Sequence, residues 1–245
     1  MATFILVHGS WQGAWAWGPV VPYLELAGHA VRAIDLPGEC WGAHPRRNVT
    51  LAGLADHVAA AVDAAAEPVI LVGHSGGGVI VSEVCERRPE RVACAVYLCA
   101  FLLRDGESIN DFYAAHQKKW MMGANRRIEV SPDGKWSTID PANALHVFYH
   151  ASPPVVAQAA AARLSRQPTV QSATRLKLSE ARFGKVPRVY IETMQDRSVH
   201  VELQRIMHTR QPCREVRTLD TDHAPQLCAP ELLAAELLDV AVRTA

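Results

Sequence analysis

VILVGHSGG, residues 69–77, is the most informative segment of this 245-residue chain. Its first four residues are apolar and mostly β-branched, which predicts a strand buried on both faces. The next five, Gly73 to Gly77, match the pattern G-x-S-x-G, and a helix reaching about Arg88 is predicted to follow. A serine on such a strand-to-helix turn has strained backbone angles and needs small residues two before and two after it. Ser75 is therefore the candidate nucleophile; a phosphate loop would need a lysine after its glycines, and none follows.

The same alternation of strand and helix continues on both sides of this segment. Further short strands are predicted at 4–7, 30–34, 92–98, 189–191 and 215–219. Further helices are predicted at about 19–26, 50–66, 201–207 and 230–242, with Thr50 as an N-cap of the second. Strands that alternate with helices at this spacing predict right-handed crossovers and a mainly parallel α/β sheet flanked by helices.

The alternation is interrupted after Phe101. Residues 103–183, called the insertion from here on, are rich in Trp, Met, Tyr, His and Arg. They contain helical pieces, such as an Ala-rich stretch at 155–164, without strong strand signals. We expect one core, formed by residues 1–102 and 184–245, with the insertion as a mostly helical cap within a single structural domain.

Charge and composition argue against several classes of protein. Lys and Arg number 25 and Asp and Glu number 25, so no basic surplus favours a nucleic-acid partner. The six cysteines form no C-x-x-C pair, so neither a zinc site of that type nor a redox motif is indicated. The N-terminus lacks the basic region of a signal peptide, and no apolar run is long enough to span a bilayer. We expect a cytoplasmic protein that does not bind membranes.

A serine nucleophile needs a base, and the base needs an acid that orients it. His223 comes directly after the last predicted strand, and Asp196 comes after the strand at 189–191. Both residues would therefore lie at the carboxyl edge of the sheet, as Ser75 does. Asp220 and Asp222 remain alternatives for the acid, although Asp222 adjoins the histidine in sequence, which makes a bond to its Nδ1 awkward.

An oxyanion-binding site needs two backbone N–H groups that converge where negative charge develops. One donor is expected from Gly76, the residue after the nucleophile. The other is expected from the loop after the first strand, where the sequence reads His8-Gly9-Ser10, with Ser10 as the candidate. His8-Gly9 alone would indicate an ordinary turn, but together with Ser75, Asp196 and His223 it indicates part of an active site.

These residues resemble the α/β-hydrolase superfamily, and within it the group of plant methylesterases and hydroxynitrile lyases. The segments that carry the resemblance are 4–15, 69–75, 182–191 and 222–230, spread over most of the chain. The resemblance implies an α/β-hydrolase fold, a triad of Ser75, His223 and Asp196, and an esterase of bacterial type. It implies no cofactor and no metal ion. Relatives of this kind often pair through cap or edge surfaces, so a homodimer is also an expectation.

The resemblance separates two chemistries. Lyases of the group carry a threonine in place of Gly9, a glutamate in place of His74 and a lysine in place of Ala224, and that lysine stabilises the departing cyanide. This chain has the esterase-like residue at Gly9 and His74 and lacks the lysine. A lyase on the same scaffold and a ligand-binding receptor remain the alternatives to an esterase.

The insertion supplies aromatic and apolar side chains that favour an apolar or aromatic substrate over a sugar or a phosphate. We predict a carboxylesterase-type serine hydrolase for small apolar or aromatic esters, with methyl esters as one class. The residues predicted to bind this small-molecule ester are Gly9, Trp11, Trp120, Met121, Trp136 and Phe148. Each of these aromatic residues could instead pack the insertion against the core.

Overall fold

A computed structural model describes residues 1–38, 49–116 and 128–244. Its centre is a six-stranded sheet in which every pair of neighbouring strands is parallel. In spatial order the strands are β2 (Ala30–Ile34), β1 (Thr3–Val7), β3 (Val69–His74), β4 (Val92–Leu98), β8 (Arg188–Thr193) and β9 (Glu215–Leu219). The four central strands are continuous apolar runs because both of their faces are covered, and the predicted parallel sheet is confirmed.

Helices cover the two faces of this sheet. The larger apolar cluster packs one face against α2 (Leu51–Asp63), α3 (Gly77–Arg87) and α8 (Val201–Arg210). The second cluster packs the other face against α1 (Val21–Leu26) and α10 (Pro230–Thr244). Thr50 caps α2, since its hydroxyl oxygen accepts a hydrogen bond from the backbone N–H of Gly53 at 3.0 Å. Among the described residues, no helix combines the length and apolar character needed to cross a bilayer.

Parallel pairing brings the carboxyl ends of the strands to one edge. In the register, Val7 of β1 pairs with Gly73 of β3, and Leu98 of β4 pairs with His74 of β3 on one side and Ile191 of β8 on the other. The loops that follow β1, β3, β8 and β9 therefore begin side by side. These are the loops in which the sequence places its candidate site residues.

The described part of the insertion contains helices and a small sheet. The helices are α4 (Ile109–His116), α5 (Pro141–Val147), α6 (Pro154–Ala162) and α7 (Val170–Ala173). The sheet is antiparallel and consists of β5 (Ile128–Val130), β6 (Trp136–Ile139) and β7 (Gln167–Pro168). These strands are not predicted from the sequence, because β5 has three residues and β7 has two, and both are too short to show a period-2 pattern.

Candidate active site

Ser75 stands on the sharp turn between β3 and α3. Its φ is 51°, in the left-handed region that a residue with a side chain seldom adopts. The turn brings backbones so close that a Cβ on Gly73 would lie 2.6 Å from Cγ2 of Val81, and a Cβ on Gly77 would lie 2.7 Å from the carbonyl oxygen of His8. The small residues of the G-x-S-x-G pattern are therefore a steric requirement of this turn.

Backbone strain collects at this edge of the sheet. Within the described ranges, Trp11 and Cys99 join Ser75 as the non-glycine residues with positive φ, at 63° and 37°. They follow β1 and β4, the two strands that flank β3. Strained backbone of this kind costs on the order of 1–3 kcal/mol per residue and is concentrated at functional sites.

The structure brings His223 against Ser75. The imidazole Nε2 of His223 lies 2.9 Å from the Ser75 hydroxyl oxygen, and both side chains are almost fully buried. Since His223 lies in the loop after β9 and Ser75 in the turn after β3, the meeting depends on the parallel sheet that aligns these two loops. A hydroxyl bonded to an imidazole can lose its proton to that imidazole when it attacks an electrophile.

Asp196 orients the same imidazole from its other side. Its Oδ2 lies 2.7 Å from Nδ1 of His223 and also accepts hydrogen bonds from the Thr193 hydroxyl and the Gln204 amide, both at 3.2 Å. Its Oδ1 accepts the backbone N–H groups of Ser198 at 2.7 Å and Val199 at 2.8 Å. These bonds hold the carboxylate in place.

The two alternative acids point elsewhere. Asp222 is buried, but its Oδ2 accepts the backbone N–H of Ala151 at 2.8 Å and its Oδ1 accepts that of Ala224 at 2.9 Å. It therefore ties the loop after β9 to the insertion. Asp220 is exposed and accepts from the Gln195 amide at 3.0 Å. Of the three candidate acids, the structure brings Asp196 to Nδ1 of His223.

His74, the residue before the serine, holds the backbone of His223. Its Nε2 lies 2.7 Å from the carbonyl oxygen of His223, and because a carbonyl only accepts, this nitrogen carries the hydrogen. Nδ1 is then an acceptor, and it accepts from Nε2 of Gln226 at 3.3 Å. Burial, followed by the neighbouring imidazole of His223, lowers the pKa of His74 well below its ordinary 6.5. His74 is therefore a neutral structural donor.

The loop after β1 lies directly beside the serine. A Cβ on Gly9 would lie 2.7 Å from Nδ1 of His74 and 2.9 Å from Cβ of Ser75, so only glycine fits at this position. A Cβ on Gly76 would contact the Ser10 hydroxyl and would lie 3.5 Å from the backbone nitrogen of Ser10. The structure therefore brings together the two residues predicted to provide oxyanion donors, with Gly76 at the N-cap of α3.

Trp11 connects this loop to the insertion. Its backbone N–H donates to Oε1 of Gln167 at 3.0 Å, and its carbonyl accepts the N–H of Ser165 at 2.8 Å. Its indole N–H donates to the Ser137 hydroxyl at 3.2 Å, and its ring stacks on Phe148 at 6.0 Å. The loop beside the serine is thus held by residues of the insertion.

A cavity of about 570 Å³ opens beside Ser75, Ser10 and Trp11. Its apolar lining comes from β5, from α4 and from the chain after β4, including Phe101, Ile109, Tyr113, Ile128 and Val130. Its other wall is polar and comes from the segment 134–173, including Ser137, Gln167, Thr169, Gln171 and Ser172. No charged side chain is among the described residues that line it.

The remaining predicted binding residues have different positions. Phe148 is buried between the rings of Trp11 and His223, 5.3 Å from the latter, and is not among the described lining residues of the cavity. Trp136 pairs with Pro168 in the small sheet and has the guanidinium of Arg166 over its ring, also away from the described lining. Trp120 and Met121 fall outside the described residues.

Gln167 and Gln171 are two of the lining residues that were not predicted from the sequence. Both are almost fully buried, yet Nε2 of Gln167 and both polar atoms of Gln171 have no hydrogen-bond partner within the described structure. Two glutamines in a segment without clear periodicity resemble an exposed loop in a sequence. Only the turn Pro153-Pro154 and the Ala-rich helix after it give this region a pattern.

Among the described residues, one group of side chains has the spacing of a metal site. His74, Cys99 and His223 bring three potential ligand atoms within 4.8 Å of one another. The thiol of Cys99 and Nε2 of His74 both face the carbonyl oxygen of His223, and both ring nitrogens of His223 contact Ser75 and Asp196. Burial raises the pKa of Cys99 well above its ordinary value, so the thiolate that a metal would need is disfavoured. This donor set fits a hydrogen-bonded core better than a metal centre.

Comparison with known proteins gives a consistent result. A model of the alpha/beta hydrolase family matches residues 4–236. The chain is 30% identical over 253 residues to methyl jasmonate esterase 1 from Vitis vinifera, covering 97% of this chain and 95% of that protein. A chloroplastic relative from Arabidopsis thaliana is 33% identical over 249 residues, and the match covers 97% of this chain but 63% of that longer protein.

Among solved structures, a pyrethroid hydrolase from Sphingobium faniae JZ-2 superimposes with a TM-score of 0.86 at 29% identity. The superposition covers 98% of this chain and 97% of that one. The expected α/β-hydrolase fold and the methylesterase-like group are confirmed by these matches. Together they support an esterase-type hydrolase.

Proposed function

Because the chain belongs to the alpha/beta hydrolase family, we propose that it hydrolyses carboxylic esters with Ser75, His223 and Asp196 as a catalytic triad. The observation that most supports the proposal is the continuous line of two hydrogen bonds, 2.9 Å from serine to imidazole and 2.7 Å from imidazole to carboxylate. Three side chains far apart in sequence would not adopt this order for packing alone.

In the proposed reaction, the Ser75 oxygen attacks the ester carbonyl carbon as Nε2 of His223 takes the hydroxyl proton. The electron pair of the carbonyl π bond moves to the carbonyl oxygen, which becomes an oxyanion. The N–H groups of Ser10 and Gly76 would bind this oxyanion. Collapse of this intermediate breaks the bond to the alcohol, and His223 returns the proton to the leaving oxygen. Water, activated by the same imidazole, then releases the acid from the acyl-enzyme.

Asp196 keeps the imidazole in the tautomer that this reaction needs. Its Oδ2 accepts the hydrogen on Nδ1 of His223, which leaves Nε2 as the acceptor toward Ser75. The carboxylate also stabilises the imidazolium that forms after proton transfer. Its bonds to the backbone of residues 198 and 199 keep it aligned.

We further propose that the insertion, residues 103–183, forms a cap over the substrate. It contributes most of the described lining of the 570 Å³ cavity, including both the apolar and the polar wall. A cavity of this size accommodates a small ester, and its apolar wall favours an aromatic or aliphatic group. Methyl esters are one class to test, since a relative bears the name of a methyl jasmonate esterase.

The test of the triad is a Ser75→Ala variant assayed on a panel of aryl, alkyl and methyl esters. We expect kcat to fall by about 10⁵- to 10⁶-fold, because triad members act as a unit and the remaining binding groups retain only residual catalysis. A serine-directed phosphonate should add one covalent adduct, detected by mass spectrometry, to the wild-type protein and none to the variant.

Three outcomes would contradict the proposal. Wild-type rates in the Ser75→Ala variant would remove the serine from the mechanism. Turnover of mandelonitrile without turnover of any ester would indicate a lyase, whereas tight ligand binding without phosphonate labelling would indicate a receptor. A circular dichroism spectrum that matches the wild type provides the control for folding.

A further inference from the structure

Gln171 is one of the residues that line the cavity, and its amide group is buried without a hydrogen-bond partner within the described structure. It lies on α7, its side chain is 1% exposed, and neither its Oε1 nor its Nε2 has a hydrogen-bond partner within the described structure. Gln167, on the neighbouring strand β7, uses its Oε1 to hold Trp11 but leaves Nε2 without a partner. Buried amides are nearly always hydrogen-bonded, so these groups require an explanation.

Gln171 lies close to the residues that are proposed to react with the ester. Its Nε2 lies 3.1 Å from where a Cβ of Gly76 would be, and Gly76 directly follows the serine. Gln171, Ser10 and Ser75 line the same cavity. A substrate carbonyl bound between the N–H groups of Ser10 and Gly76 would therefore have the Gln171 amide beside the adjoining part of the acyl group.

The chemistry of an amide limits what it can recognise. The side chain offers a donor at Nε2 and an acceptor at Oε1, so a full partner must both accept and donate a hydrogen bond. A hydroxyl group does both, whereas a ketone oxygen would leave Oε1 unpaired. The described lining has no charged side chain to neutralise a carboxylate or phosphate, which makes an anionic group a poor occupant.

We propose that Gln171 binds a hydroxyl group on the carbon next to the ester carbonyl, so that the preferred substrates are esters of 2-hydroxy acids. This rests on the proposed ester hydrolysis and adds the polar half of the substrate to it. The apolar wall, formed in part by Phe101, Ile109 and Tyr113, would take the rest of the acyl group. A site built to bind a hydroxyl discriminates against the analogue that lacks it, because the amide is then buried unpaired.

The test compares methyl mandelate with methyl phenylacetate, which differ by that hydroxyl group, and with methyl phenylglyoxylate, which carries a ketone there. We expect the wild type to have the highest kcat/KM for methyl mandelate. Gln171→Met keeps the volume and removes both polar atoms, so it should lower the mandelate-to-phenylacetate ratio by about 5- to 100-fold. Intrinsic ester reactivity cancels when the ratios of two variants are compared.

Gln211→Met is the matched control. Its amide donates to the carbonyl oxygen of Leu103 at 3.2 Å at the end of α8, and Gln211 is not among the described cavity residues. It should leave the ratio as in the wild type. Turnover of methyl phenylacetate by Gln171→Met shows that this variant folds.

The outcomes separate this inference from the triad. An unchanged ratio in Gln171→Met overturns the hydroxyl assignment while ester hydrolysis stands. An equal loss on all three esters also overturns it, since the amide would then act on the oxyanion that they share. If the wild type hydrolyses no ester, the proposed function fails, and binding of methyl mandelate to Ser75→Ala, with and without Gln171→Met, still tests Gln171 by calorimetry.

Discussion

The two sides of the candidate active site differ in how their polar atoms are used. On the sheet side, both oxygens of Asp196 and both ring nitrogens of His223 and His74 have hydrogen-bond partners. On the insertion side, Gln171 has two buried polar atoms without a partner and Gln167 has one. The hydrogen bonds of Asp196, His223 and His74 are thus formed without a ligand, whereas the two glutamines keep polar atoms that a ligand could bind.

This difference follows from what each side is proposed to do. Groups that transfer protons must already be aligned, and supporting hydrogen bonds hold them so at no cost during the reaction. A group that recognises a ligand must keep its hydrogen-bonding capacity for that ligand. Buried but unpaired amides are destabilising in the absence of a partner, so they remain where binding restores the bonds. We therefore expect the insertion side to determine which substrates are preferred.

The largest loss of activity should come from replacing Asp196, the proposed acid on the sheet side of the site. Asp196→Asn keeps the shape but offers an amide to Nδ1 of His223, which favours the wrong imidazole tautomer. We expect kcat to fall by about 10⁴-fold with little change in KM, measured on any ester that the wild type turns over.

Asp222→Asn is the matched control for this change. Asp222 accepts from the backbone of Ala151 and Ala224 and does not contact Nδ1 of His223. We expect a loss of unfolding free energy of about 1–3 kcal/mol in urea melts, with kcat reduced far less than in Asp196→Asn. The reverse order of the two kcat losses would assign the acid to Asp222.

A smaller effect should come from the junction of the two sides. Gln167→Met removes the acceptor that holds the strained backbone N–H of Trp11, next to Ser10, the proposed oxyanion donor. Because a displaced donor weakens binding of the transition state, we expect kcat to fall by about 10-fold with KM changed by less. Ser137→Ala removes the partner of the indole N–H alone and should have a weaker effect. A rise in KM at constant kcat would assign Gln167 to substrate binding instead.

The same contrast explains what the sequence could predict. Ser75 and Asp196 follow strands that contain apolar runs, His223 follows the strand β9, and a parallel sheet brings the ends of these strands together. Gln167 and Gln171 lie on a two-residue strand and a four-residue helix, which are too short to show a period.

The aromatic residues of the insertion show the other limit of sequence reasoning. Phe148 was expected in the substrate pocket, but it packs on His223 and Trp11, because hydrophobicity does not tell which side of an aromatic layer faces the ligand. The antiparallel sheet of the insertion is not apparent in the sequence either, because its first and last strands have only three and two residues.

The smallest expected effect is on the unfolding free energy at acid pH, through the buried His74 on the sheet side of the site. Burial lowers the pKa of His74 well below 6.5, so the folded protein keeps this imidazole neutral. The unfolded chain regains the ordinary pKa and binds a proton as the pH falls below 6.5, which lowers the unfolding free energy by at most about 1.4 kcal/mol per pH unit.

The measurement is urea unfolding at pH 7.5 and at pH 5.5. Between these two pH values, the unfolding free energy of His74→Gln should fall by about 1 kcal/mol less than that of the wild type. His8→Gln should act in the same direction, because burial also lowers the pKa of His8. Equal losses in wild type and variants would mean that these imidazoles are protonated in the folded protein, which is incompatible with His74 as a neutral donor to the backbone of His223.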